Sequence, residues 1–71
     1  MVKVNEDKAY ILFLLKKYDE SINQCNIILK TNEKNINVLN TLGLCLFNLK
    51  NFDESNKILL KALDIDGENI K

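Results

Sequence analysis

The chain has 71 residues, 46% of them apolar, and ten lysines balanced by ten acidic residues, with no arginine and no histidine. That length holds one small domain, and that apolar fraction excludes a disordered polypeptide. Zero formal net charge leaves no electrostatic footprint for nucleic acid or an anionic membrane, and without histidine the commonest general base and metal ligand is missing.

Proline is absent, and only Gly43 and Gly67 interrupt the helical periodicity. A first helix is expected over about residues 3 to 15, with Val4, Ile11, Leu12 and Leu15 on one face. The apolar run from Tyr10 to Leu15 within it is far shorter than the roughly 20 residues a bilayer span needs. No small-residue cleavage site follows that run, so an intracellular, cytoplasmic protein is expected. Lys16 and Lys17 close the first helix, where cations complement the helix dipole.

A second helix over about 18 to 31 opens on Asp19 and Glu20, whose charge suits a helix start. Tyr18, Ser21, Ile22, Cys25, Ile28 and Leu29 recur along it at steps of three and four. Asn32 and Asn35 read as turn or cap residues. The third helix, about 36 to 49, carries Val38, Leu42, Cys45, Leu46 and Leu49 on one stripe, and Asn51 marks the next turn. The fourth, about 52 to 65, opens on Asp53 and Glu54 and carries Ser55, Ile58, Leu59, Ala62 and Leu63. Gly67 then falls near its C-cap. Cys25 and Cys45 lack zinc spacing and fit two buried, reduced thiols, although sequence alone leaves a disulfide open.

The chain also matches itself at an offset of about 34 residues, the period of a two-helix solenoid repeat. Leu12-Phe13 falls on Leu46-Phe47, Leu15-Lys16 on Leu49-Lys50, and Tyr18-Asp19-Glu20-Ser21 on Phe52-Asp53-Glu54-Ser55. Leu29, Asn35 and Ile36 fall on Leu63, Asn69 and Ile70. The expected fold is all-α: four helices in two antiparallel helix-turn-helix units forming a short right-handed solenoid. A single domain over 1–71 would hold one repeat at about 2–35 and another at about 36–69.

These residues resemble the tetratricopeptide repeat. In the second repeat Leu39 stands at the family's large position and Leu42-Gly43 at its Leu-Gly pair. Leu46 replaces the tyrosine, Phe52 to Ser55 match the turn, and Leu59 and Ala62 follow on schedule. In the first repeat Ala9 replaces Gly, Ser21 replaces Ala, Ile28 takes the second small position and Lys8 stands where Leu belongs. Glu33 and Gly67 stand in place of the closing proline. Small residues at Ala9, Gly43, Ser21 and Ser55 let the helices of each hairpin approach closely, so a bulky residue at Gly43 should cost about 1–3 kcal/mol.

The resemblance implies a non-catalytic protein-interaction module, a scaffold or adaptor that holds a partner peptide or helix in a concave groove. Carried over, its groove positions are Lys3, Glu6, Tyr10, Phe13 and Leu14, then Asn37, Asn40, Leu44, Phe47 and Asn48. Periodicity agrees in part, because Tyr10, Phe13, Leu14, Leu44 and Phe47 lie off the main apolar stripes and need another surface to cover them. Asparagine amides offer both donor and acceptor to an extended ligand. Members that clamp a C-terminal carboxylate use Lys and Asn where this chain has Glu6 and Tyr10, which argues against that ligand.

Other signals are weak. Asp64 to Asn69 has its glycine two places early for a calcium loop. Ser21 and Ser55 have no histidine base. No catalytic residue, metal site or cofactor is therefore assigned, and nucleic acid and membrane insertion are excluded as targets. Two repeats are fewer than the roughly three a stable solenoid usually needs. The alternative function is a structural spacer or self-associating segment of a longer array. Its interface would be the uncapped C-terminal helix, with Ile58, Leu59, Leu60 and Leu63 along the edge, giving a homo-oligomer.

Overall fold

The computed structural model describes the backbone of residues 3–70 and the side chains of residues 6–67. It is built of four helices: α1 (Lys3–Leu14), α2 (Tyr18–Thr31), α3 (Ile36–Asn48) and α4 (Phe52–Ile70). The all-helical expectation holds, with four helices packed pairwise as two helix-turn-helix units. Short connections make successive helices antiparallel neighbours. Among the described residues α3 packs on the other three helices, while α4 packs on α3 alone.

The turns within the two hairpins are copies of one another. Lys16 and Lys50 both adopt φ 66°, the left-handed conformation that ends a helix. The Lys16 N–H donates to the Phe13 carbonyl at 2.9 Å and the Lys17 N–H to the Leu12 carbonyl at 2.8 Å. One repeat later Lys50 donates to Phe47 and Asn51 to Leu46, each at 2.9 Å. These bonds satisfy carbonyls at the helix end that have no partner within the helix. Both lysines thus have a backbone role that charge alone did not reveal. The second helix of each hairpin then starts with the expected acids, Asp19 and Glu20 in α2 and Asp53 and Glu54 in α4.

Each hairpin is pinned by a buried serine. Ser21 Oγ donates to the Ala9 carbonyl at 2.7 Å, and Ser55 Oγ donates to the Gly43 carbonyl at the same distance. Small side chains therefore do more than reduce bulk, because the hydroxyl ties α2 to α1 and α4 to α3. At Gly43 the approach is closest, and a Cβ there would lie 2.5 Å from Leu59 Cδ2 and 2.6 Å from Cγ.

The core is formed by Ala9, Cys25, Ile28, Val38, Leu42 and Leu46, with Ile22, Leu29 and Ile58 packed against it. Leu39, Cys45 and Ala62 are buried as well. Both cysteines are free and buried, in accord with the reduced thiols expected. Burial pushes the Cys25 thiol up to about 11; the nearby Cys45 adds to the rise and the Ser21 hydroxyl opposes it. Burial raises Cys45 too, again against the Ser21 hydroxyl.

Three expectations change. On α1, Ile11 and Leu15 were placed on the apolar stripe, yet they are 52% and 61% exposed, and Ala9 is the residue that reaches the core. The cause is one of position: among the described residues α1 packs on two helices, α2 and α3, whereas α3 packs on three. Val4 lies outside the described side chains. Leu49 and Leu63, on the stripes of α3 and α4, are also exposed. Finally, α4 does not stop at residue 65. It runs through Gly67, which has no left-handed φ and caps nothing, to Ile70. The corresponding stop of α2 at Thr31 is enforced by the helix that follows, where Asn35 caps α3 and holds Glu6 of α1. No such contact turns the chain aside after Ile65 among the described residues. Lys71, read with Ile70 as the start of another repeat, lies outside them.

Candidate partner-binding groove

Helices α1 and α3 form the walls of an open groove of about 310 Å³. Glu6, Asp7 and Tyr10 come from α1, and Asn37, Val38, Asn40, Thr41 and Leu44 from α3. Their spacing follows from helix geometry, since residues three and four apart share a face. Val38 and Thr41 are buried and form the floor; Tyr10, Asn37, Asn40 and Leu44 are exposed and form the walls.

One amide ties the two walls together. Asn35 Oδ1 accepts from the Val38 N–H at 3.2 Å, capping α3, while its Nδ2 donates to Glu6 Oε2 at 2.8 Å. Glu6 is thereby held by the start of α3 and the two groove walls are joined. Thr41 Oγ1 is occupied by the Asn37 carbonyl at 3.1 Å. The side-chain amides of Asn37 and Asn40 hydrogen-bond to none of the described residues. The groove thus offers two amides, an exposed phenol ring, an exposed leucine and two carboxylates, and among the described residues no lysine lines it.

Of the groove residues expected from sequence, Glu6, Tyr10, Asn37, Asn40 and Leu44 come together here. Phe13, Leu14, Phe47 and Asn48 lie outside this lining, and Lys3 lies outside the described side chains. Phe13 sits between Tyr10 and Tyr18, with ring centroids 6.0 Å from each. Phe47 meets Phe52 edge-on at 5.3 Å. Phe13–Tyr18 and Phe47–Phe52 are the same pair one repeat apart, and each clasps the turn of its hairpin. Leu14 is exposed beyond the groove. Asn48 Nδ2 donates back to the Leu44 carbonyl of its own helix at 2.8 Å. Sequence reasoning missed Asp7, Val38 and Thr41. Val38 carried a stripe signal but was assigned wholly to the core, and Asp7 carried only its place one residue after Glu6.

The edge residues divide. Ile58 packs on the core and Leu59 lies beneath Gly43, whereas Leu60 and Leu63 are exposed. Among the described residues no group of three or more His, Cys, Asp or Glu side chains is placed to hold a metal ion. No described helix is long and apolar enough to cross a membrane.

Two stacked helical hairpins, with a repeated serine tie and an open groove along their first helices, define a helical-repeat interaction protein. Residues 36–69 match the tetratricopeptide repeat family, and the chain carries a tetratricopeptide repeat over that span. It is also 38% identical over 56 residues to sperm-associated antigen 1 of Mus musculus. That similarity covers 79% of this chain and 6% of the relative, so the chain spans a small part of that relative's length. No solved structure matches it.

Proposed function

We propose that this chain is a non-catalytic adaptor module whose α1–α3 groove receives a basic segment of a partner protein. A tetratricopeptide repeat implies protein interaction in general. The observation that carries the finer reading is the groove's chemistry: Asn37 and Asn40 amides with no partner among the described residues, between Tyr10 and the carboxylates of Glu6 and Asp7. Paired donor and acceptor amides suit a peptide backbone. The ring of Tyr10 suits the stem and charge of a lysine or arginine, which the two carboxylates attract. A C-terminal carboxylate would meet like charge here, which supports the expectation against a carboxylate clamp.

The test is selection of a random peptide display library on the folded chain. Enriched peptides should be basic. Tyr10→Ala or Asn40→Ala should weaken them about tenfold, equivalent to about 1.4 kcal/mol, with helicity unchanged. Peptides that bind both variants as tightly as the parent chain would sink the groove assignment and leave the spacer reading.

A further inference from the structure

The outer cleft of the second hairpin repeats a surface that is covered in the first. It has a volume of about 410 Å³ and is lined by Ile36, Asn40, Leu59, Ala62, Leu63 and Asp66. Shifted back by one 34-residue period, the α4 members of this lining become Cys25, Ile28 and Leu29 of α2 and its C-cap residue Asn32. Cys25 and Ile28 share one core cluster with Val38, Leu42 and Leu46 of α3, Leu29 packs against that cluster, and α2 and α3 are in contact. The cleft is therefore shaped for the first helix of a hairpin.

The opposite end of the molecule presents such a helix. Lys8, Ile11, Leu12 and Leu15 stand one period before Leu42, Cys45, Leu46 and Leu49. Ile11 and Leu15 are exposed, and Leu12 is half-buried. This face is equivalent to the one α3 turns into the first hairpin. Lys8 differs in character from Leu42, but the cleft differs in a matching way. Ala62 replaces Ile28, leaving room for the lysine stem, and Asp66 on the rim offers its ammonium a carboxylate.

We propose that two copies of this chain dock head to tail, the α1 face of one seated in the α3–α4 cleft of the next. The contact continues the α3-on-α1/α2 packing already present within the chain, and its cleft shares one lining residue, Asn40, with the partner groove. Because the two surfaces differ, the interface is heterologous, and successive copies add without closing unless the rotation returns to the start.

The test is light scattering on three purified variants and one mixture, with helicity checked by circular dichroism. The parent chain should show a mass that rises with concentration without a plateau. Leu63→Glu blocks the cleft and the double variant Ile11→Glu, Leu15→Glu blocks the α1 face. All three sites are exposed, so each variant should remain helical, and each should be monomeric alone. Mixed in equal amounts, they retain one good face apiece and should give twice the monomer mass and nothing larger. Leu60→Glu, outside the cleft, should associate like the parent. A parent chain that stays monomeric, a mixture that fails to dimerise, or loss of association on Leu60→Glu would overturn the proposal. So would an α1-face variant that still self-associates, since that outcome indicates a symmetric α4–α4 contact.

Discussion

The first hairpin and the second share one turn and one buried serine tie, yet residues one period apart are buried to different extents. Cys45 on α3 is 0% exposed and its counterpart on α1, Ile11, is 52% exposed. The more apolar residue is the more exposed of the two, so side-chain character alone does not decide burial here. Place in the stack does: among the described residues α3 is covered by three helices and α1 by two. The hairpins also solve their closest approach differently. The first uses Ala9 with Cys25, and the second uses Gly43 with Leu59 at the equivalent positions. A methyl added to one helix is matched by a smaller residue on the other.

The largest expected effect tests burial by position. Leu46→Ala removes a core side chain and should cost about 2–5 kcal/mol, read from the urea midpoint. Its half-buried counterpart Leu12→Ala should cost distinctly less, and Ile11→Ala should lie within about 0.5 kcal/mol of the parent. Equal losses at Leu46 and Leu12 would break the comparison.

The exchange of volume between helices comes next. Gly43→Ala forces a Cβ into Leu59, and the overpacking cost of about 1–3 kcal/mol outweighs the roughly 1 kcal/mol that alanine gains in helix propensity, so the variant should be less stable than the parent. Combining it with Leu59→Cys reproduces the first hairpin. The double variant should be more stable than the sum of the single losses by about 1 kcal/mol, measured as a double-mutant cycle. Additive losses would show that the two positions do not share the space.

A smaller gain is expected at the turns. Lys16 and Lys50 hold φ 66°, which costs an L-residue about 1 kcal/mol relative to glycine. Lys16→Gly and Lys50→Gly should each raise the urea midpoint by a similar amount, since the two turns are copies. A gain at one turn alone would show that they are not equivalent.

The thiols give a pH test. The folded-state pKa of Cys25 lies at about 11, above its ordinary value of 9.0, because burial favours the neutral form. The unfolded chain therefore releases the proton first, and this contribution to stability is full below pH 9 and declines as pH rises towards about 11. Cys45 acts in the same direction. Cys25→Ala should flatten that decline in urea titrations at stepped pH. An unchanged slope would place the loss elsewhere.

Much of this was legible in the sequence, for reasons that differ by element. The stripe of α2 from Tyr18 to Leu29 is inward-facing as expected, because that helix has a clear polar side to oppose it. The 34-residue match located both hairpins, since the turn residues and the small serines recur at fixed places. The serine hydrogen bonds were not legible, because a small residue and a donor look alike in a pattern. The faces of α1 were misread since Tyr10, Ile11, Leu12, Phe13, Leu14 and Leu15 run consecutively, and six apolar residues in a row wrap the whole helix. The extension of α4 through Gly67 was missed because glycine was read as a cap without regard to what turns the chain aside. In the groove, Tyr10, Asn37, Asn40 and Leu44 were found through family positions, whereas Phe13 and Phe47 belong to turn clasps that only the folded hairpin reveals.

Backbone amide chemical-shift mapping of the folded chain, titrated with a basic peptide taken from the display selection, shows whether the α1–α3 groove receives that peptide. The shifts should concentrate on Asp7, Tyr10, Asn37, Asn40 and Leu44. Shifts confined to the outer face of α4, around Leu60 and Leu63, with the groove silent, would contradict it.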